Sequence, residues 1–296
     1  MKVLTKIGML SLISIASAQA ADNYTVQKDI PFKTINDKQI GFDLYRPASA
    51  TDADKPKLLV WVHGGAWKRG SKDELPSKNP LLLKSVLDEG YALAAVDYRL
   101  SGEASFPEPV RDINDAINYI YDHAAQYKID ADSIAIMGRS AGGHLAGFIG
   151  ATNGYGKVDF YQSPKYKVKA VVSFFGPTDL LALGEKSGKG GKKTSAKSSV
   201  SRFLGAIPSE APELAKKAST TSYITKNTPP YIQMHGDIDK RVPVTQSTAL
   251  KELLDANGVE NELYIEKGVG HSDRIFDSEK YVPGVIAFLN QHFPAK

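Results

Sequence analysis

The chain has 296 residues, 42% of them hydrophobic and 24% charged, an ordinary globular composition that excludes bulk disorder, collagen-like repeats and a disulfide-stapled fold. Its 37 basic and 33 acidic residues leave a formal charge of +4, too weak a bias for a nucleic-acid binder. With six histidines and no cysteine, thiolate metal sites, thiol catalysis and disulfides are excluded as well.

Lys2 and Lys6 form a short basic region, Ile7 to Ala16 is mostly apolar, and Ala18-Gln19-Ala20 has the small-x-small pattern of a signal-peptidase site. This predicts a secretory signal over 1–20, too short to span a membrane and short enough to be bacterial. Cleavage after Ala20 removes both lysines and leaves a charge of about +2. No later stretch approaches the ~20 apolar residues of a spanning helix. The expectation is an exported protein, periplasmic or extracellular, made of residues 21–296 and without a membrane span.

Gln39 to Tyr45 alternates, with Ile40, Phe42 and Leu44 on one side, as a half-buried strand does. Leu58 to Val62 is an apolar run that suits a buried strand. Leu81 to Glu89 reads as a helix stopped by Gly90, and Tyr91 to Val96 as the next buried strand. Pro107 opens a helix whose Val110, Ile113, Ile117, Ile120, Tyr121 and Ala124 recur at helical spacing. Ser133 to Met137 is a short strand followed by a small-residue helix from Ala141 to Ile149. Lys169 to Phe174, Tyr231 to His235 and Glu262 to Ile265 are further strands; Thr245 to Ala256 and Glu279 to Asn290 are amphipathic helices.

This alternation predicts an α/β fold, a mostly parallel central sheet with helices on both faces, in a single domain. Gly184 to Ser199, with Lys186, Lys189, Lys192, Lys193 and Lys197, has no apolar period. It reads as a mobile loop within a variable insertion over 178–222, either simply solvated or steering anionic substrates.

Function in such sheets sits at the carboxyl ends of the strands. The strand ending at Met137 runs into Gly138-Arg139-Ser140-Ala141-Gly142 and then a helix, the Gly-x-Ser-x-Gly elbow in its strand–turn–helix setting. That turn lifts the Ser140 hydroxyl above the sheet and sets the Ala141 N–H where an oxyanion would form. A serine hydroxyl is a poor nucleophile until a base takes its proton. His271, in the Gly-rich turn after the last strand, fits that role. Asp239, Asp237 and Asp179, in that order of preference, could orient it. The loop His63-Gly64-Gly65-Ala66-Trp67 after the Leu58 to Val62 strand should complete the oxyanion hole with the N–H groups of Gly65 and Ala66.

These pieces resemble the α/β-hydrolase superfamily, and within it the His-Gly-Gly-loop branch shared by hormone-sensitive-lipase-like esterases and bacterial acetylxylan and feruloyl esterases. The matching segments are His63 to Trp67, Asp97 to Leu100 with Phe106-Pro107, Gly138 to His144, Phe175 to Asp179, His235 to Pro243 and Gly268 to His271. Ala66-Trp67, where lipase-like members often continue with glycine, favours the acetyl and feruloyl side. The resemblance implies a Ser140–Asp239–His271 triad, since the pattern His-Gly-x-x-Asp-x-x-Val-Pro puts its acid at Asp239. It also implies a serine carboxylesterase that needs no cofactor and no metal and acts on short-chain small-molecule or oligosaccharide esters, acetyl or feruloyl esters of carbohydrates among them. An amide hydrolase on the same triad and a non-catalytic binding protein on the same fold are the alternatives.

Three histidines beside these motifs, His63, His144 and His235, lack ligand-like spacing and read as loop braces. Arg99 should pair with an acidic neighbour and Arg139 should brace the elbow. Trp61 belongs to the core. Trp67 either forms an aromatic wall of the substrate pocket or packs behind the loop.

Overall fold

In the computed structural model, which describes residues 23–51, 53–156, 158–187, 195–271 and 274–295, eight strands build one sheet. They are β1 (Tyr24–Ile35), β2 (Lys38–Pro47), β3 (Lys57–Val62), β4 (Ala92–Val96), β5 (Asp130–Arg139), β6 (Lys167–Phe174), β7 (Tyr231–Gly236) and β8 (Asn261–Glu266). Their order across the sheet is β1-β2-β4-β3-β5-β6-β7-β8. β1 pairs antiparallel with β2, and β2 antiparallel with β4; every pair from β4 to β8 is parallel. The helices are α1 (Leu75–Lys78) and α2 (Pro80–Asp88) before β4, α3 (Glu108–Asp122) and α4 (Ala124–Tyr127) before β5, and α5 (Ala141–Tyr155) after it. α6 (Leu180–Ser187), α7 (Ser199–Leu204) and α8 (Pro212–Lys217) lie between β6 and β7, α9 (Thr245–Ala256) precedes β8, and α10 (Val282–His292) follows it.

The pleat assigns alternate residues of each buried strand to opposite cores. Leu58, Val60 and Val62 of β3 join Val110, Ile113 and Ile117 of α3, Leu145 and Phe148 of α5 and Leu250 and Leu254 of α9. Leu59 and Trp61 face the other way, onto Leu82, Leu83 and Val86 of α2 and Val285, Phe288 and Leu289 of α10. Strands buried on both faces are continuous apolar runs for this reason, and the carboxyl ends of six parallel strands open onto one edge.

The expected strands and helices are all present, with ends shifted by a few residues. β1 is an addition. Pro31, the charged run Lys28-Asp29 and two irregularities in its pairing with β2 erase the alternation that marks a strand. Lys33 pins it in place by ion pairs to Asp112 (2.9 Å) and Asp115 (2.7 Å) of α3. The expected loop over 184–199 is corrected at its ends. Leu180-Leu181-Ala182-Leu183 starts a helix that continues through Ser187, and the Ser198 hydroxyl accepts from the Ser201 N–H (3.1 Å) to cap α7. Residues 188–194, with Lys189, Lys192 and Lys193, lie outside the described residues, as does the predicted signal over 1–20. No helix among the described residues is long and apolar enough to cross a membrane.

Candidate active site

Ser140 sits between β5 and α5 with φ 52° and ψ −118°, a left-handed backbone that a serine adopts only when its surroundings impose it. The Ser140 N–H donates to the Phe174 carbonyl at the end of β6 (2.9 Å), and its own carbonyl accepts from the His144 N–H (3.0 Å). The small neighbours are needed for close approach: a Cβ on Gly142 would overlap the Val62 carbonyl of β3.

The hydroxyl points at His271. Ser140 Oγ lies 2.8 Å from His271 Nε2, and His271 Nδ1 lies 2.6 Å from Asp239 Oδ2. An ionised carboxylate can only accept, so Nδ1 carries the imidazole proton and Nε2 is left to accept from the serine hydroxyl. Asp239 is 7% exposed. Its other oxygen, Oδ1, accepts the backbone N–H groups of Arg241 (2.8 Å) and Val242 (3.0 Å). Burial opposes ionisation of Asp239, but hydrogen bonds from His235, His271 and the Val242 N–H outweigh it and hold the carboxyl well below the ordinary carboxylate range.

The structure thus separates the three candidate acids. Asp237 faces the other way, accepting the Gly268 N–H (2.7 Å) in an exposed turn. Asp179 accepts the Ala182 N–H (3.0 Å) at the start of α6. Neither contacts His271. His235 braces a loop, as read from the sequence, and does so beside Asp239. Its Nε2 donates to the Val242 carbonyl (2.8 Å) and lies 3.4 Å from Asp239 Oδ2, while Nδ1 meets the Ser247 hydroxyl (2.7 Å). It fixes the loop that supplies the N–H groups to Asp239. Phe175, which the reading of individual residues passed over, packs edge-on against His271 with ring centroids 4.9 Å apart.

The His63 to Trp67 loop follows β3. Gly65 has φ +116°, and a Cβ there would overlap the Arg69 carbonyl. Gly65, Ala66 and Ala141 line the cavity beside Ser140 and His271. Among the described residues, none of their N–H groups is donated elsewhere.

Trp67 packs behind the loop. It borders the cavity but is only 3% exposed, stacked on Phe203 of α7 at 4.8 Å. Its indole N–H donates to His144 Nδ1 (3.2 Å), and His144 Nε2 donates to the Ala218 carbonyl (2.8 Å). These contacts give Trp67 a bracing role at the cavity's border, tying the loop, α5 and the segment before β7 together. Trp67→Phe should cost about 1–3 kcal/mol of stability, because it strips the donor from a buried imidazole nitrogen. A urea denaturation midpoint equal to wild type would contradict this.

Burial pushes His63 and His144 down to about 4 from 6.5. Both are therefore neutral in the fold, while an unfolded imidazole takes up its proton near 6.5. The stability each contributes is complete above pH 6.5 and declines by about 1.4 kcal/mol per pH unit as the pH falls toward 4. Asp97 opposes this trend. Burial raises it to about 6 despite its bond from the Lys72 N–H, so its contribution is present at low pH and lost as the pH rises through 6. Two histidines outweigh one aspartate, and the urea midpoint should be lower at pH 5 than at pH 7.5. An unchanged or higher midpoint at pH 5 would rule this balance out.

The cavity holds about 670 Å³. Arg139 borders it and also braces the elbow, as expected, through Asn79 Oδ1 (3.0 Å) and the face of Phe175. Arg99 pairs with Asp112 (2.7 Å) and Glu108 (2.6 Å). Away from the cavity, Asp29, Asp43 and Asp73 cluster closely enough to hold a cation. The Lys72 ammonium already lies among them, 2.7, 3.2 and 3.3 Å from their oxygens.

A serine on a strand–turn–helix elbow, bonded through histidine to a buried aspartate at the carboxyl edge of this sheet, defines the α/β-hydrolase fold. Solved structures agree. A truncated carbohydrate esterase from gut microbiota superposes with TM-score 0.78 at 26% identity, over 93% of this chain and 99% of that one. The bifunctional GH43-CE protein of Bacteroides eggerthii does so with TM-score 0.76 at 29% identity, over 90% of this chain and 38% of that one. Esterase LipC of Mycobacterium tuberculosis is 27% identical over 245 residues, covering 79% of this chain; the chain spans 58% of the length of that relative. The chain belongs to the BD-FAE family, whose model matches residues 42–254.

Proposed function

We propose that the protein is an exported serine carboxylesterase, periplasmic or extracellular, that hydrolyses short-chain carboxylic esters, with acetyl or feruloyl esters of carbohydrates as its substrate class. The observation that carries this reading is the hydrogen-bonded chain from Ser140 through His271 to Asp239, beside the undonated N–H groups of Gly65, Ala66 and Ala141. In the reaction, His271 Nε2 takes the Ser140 proton as Oγ attacks the ester carbonyl. Asp239 holds the imidazole in the tautomer that can accept it and stabilises the imidazolium. The carbonyl oxygen, now negative, is received by the three backbone N–H groups. His271 then returns the proton to the leaving alcohol, and a water activated by the same nitrogen releases the acid and restores the serine.

Family membership and neighbours named as carbohydrate esterase support the class of reaction. A cavity of about 670 Å³, with Phe175, Leu183 and Val200 among the residues that line it, suits a short acyl group with a sugar ring. The test is hydrolysis of 4-nitrophenyl esters of increasing acyl length, methyl ferulate and acetylated xylo-oligosaccharides, together with labelling by a fluorophosphonate. Turnover that favours the short or feruloyl esters and stops when Ser140 is labelled is the expected result. Labelling elsewhere, or turnover that survives it, would falsify the mechanism. Export is tested by expressing the full chain and sequencing the mature N-terminus, which should begin at Ala21.

A further inference from the structure

We propose that the ester substrate carries a carboxylate close to the scissile bond, and that Arg69, Arg241 and Arg274 recognise it. This rests on the esterase reading above and narrows its substrate. The three arginines come from three different strand-end loops. Arg69 follows the Gly65-Ala66 loop after β3, Arg241 follows Asp239 after β7, and Arg274 lies three residues beyond His271 after β8. All three line the same cavity as Ser140 and His271.

Three other arginines are engaged: Arg99 with Asp112 and Glu108, Arg111 with Glu108, and Arg139, which borders the same cavity, with Asn79 and Phe175. Among the described residues, the side chains of Arg69, Arg241 and Arg274 make no ion pair. The acidic side chain on the cavity wall, Glu74, is already bonded to Lys78 at 2.6 Å.

With no described carboxylate in an ion pair with them, these like charges raise the electrostatic energy of the site, and an anionic ligand relieves it. Phe175, Leu183 and Val200 line the same cavity, and low-dielectric lining strengthens the field of such charges. Guanidinium groups present flat paired donors that match a carboxylate, where ammonium groups would act as point charges. The carboxylate can belong to the acyl part of the ester or to an acidic sugar on the alcohol side, and the test separates the two.

Two matched pairs are compared for kcat/KM at low and high salt: 4-nitrophenyl hemisuccinate against 4-nitrophenyl butyrate, and acetylated glucuronoxylo-oligosaccharides against acetylated neutral xylo-oligosaccharides. In at least one pair the anionic member should be favoured by about tenfold or more at low salt, mainly through KM. Added salt should erode that preference and leave the neutral ester unaffected. The pair that responds identifies the side of the bond that bears the charge. The Arg69→Gln/Arg274→Gln double variant should lose the preference while its kcat/KM on the neutral ester stays within about twofold, which also shows that it is folded. Equal rates within both pairs, or a preference that survives the double substitution, overturn the proposal and leave the esterase reading standing. Absence of Ser140-dependent turnover on all four esters overturns that reading, and this proposal with it.

Discussion

Replacing Ser140 with alanine is expected to lower ester turnover by about 10⁴-fold or more and to leave the fold intact. The hydroxyl is the group that His271 Nε2 faces at 2.8 Å, and without it the imidazole has only water to activate. What remains is the contribution of the N–H groups of Gly65, Ala66 and Ala141, and of binding. The strained backbone, φ 52°, is imposed by the bond from the Ser140 N–H to Phe174 and by the close packing of Gly142, and alanine keeps both. Thermal unfolding should therefore move by no more than about 1 kcal/mol. Because the residues act as a unit, adding His271→Ala to Ser140→Ala should cost little further. Steady-state kinetics on 4-nitrophenyl acetate decides the matter: an alanine variant that keeps more than about one-hundredth of wild-type kcat removes Ser140 from the reaction.

Asp239→Asn should be nearly as damaging, at about 10⁴-fold in kcat, for a reason specific to this loop. Oδ1 of Asp239 accepts two backbone N–H groups, from Arg241 and Val242. An asparagine can satisfy them only with its carbonyl oxygen, which turns its amide NH₂ toward His271 Nδ1. That nitrogen must then accept, so the imidazole proton moves to Nε2 and the base can no longer take the serine proton. The backbone bonds survive, so the variant should fold. Asp237→Asn and Asp179→Asn, whose carboxylates cap a turn and the start of α6, should stay within a few-fold of wild type. A loss of less than about tenfold for Asp239→Asn would show that the tautomer is set by something other than Asp239.

How much of this was legible in the chain depends on the range of the interaction involved. The elbow around Ser140 is a local object. Five consecutive residues, with the small Gly138, Ala141 and Gly142 around the serine, after an apolar run and before a helix, specify its geometry with little outside help. The buried strands were legible for the same reason, since burial on both faces writes an unbroken apolar run. β1 was not, because it is held by Lys33 reaching Asp112 and Asp115, residues about eighty positions away, and carries no pattern of its own.

The choice among Asp239, Asp237 and Asp179 is intermediate. The individual residues left it open, and the resemblance to a known pattern favoured Asp239. Two residues apart on one turn, Asp237 and Asp239 have the same chemistry. The bond from the Asp237 N–H to the Glu266 carbonyl and that from the Ile238 N–H to Val269 fix that turn against the β8 loop, so that one carboxylate faces His271 and the other solvent.

By itself, then, the sequence determined what short-range sterics and periodicity can dictate: the α/β alternation, the strained serine turn and the glycine loop after β3. Tertiary structure alone decided what depends on which distant loops meet. It set Asp239, which the resemblance had favoured, 2.6 Å from His271 and put His235 beside it. It packed Trp67 against Phe203 and His144 at the cavity's border, and it brought Arg69, Arg241 and Arg274 to the lining of that cavity. Sheet order causes this, because parallel pairing sets the ends of β3, β5, β6, β7 and β8 side by side although up to about two hundred residues separate them along the chain.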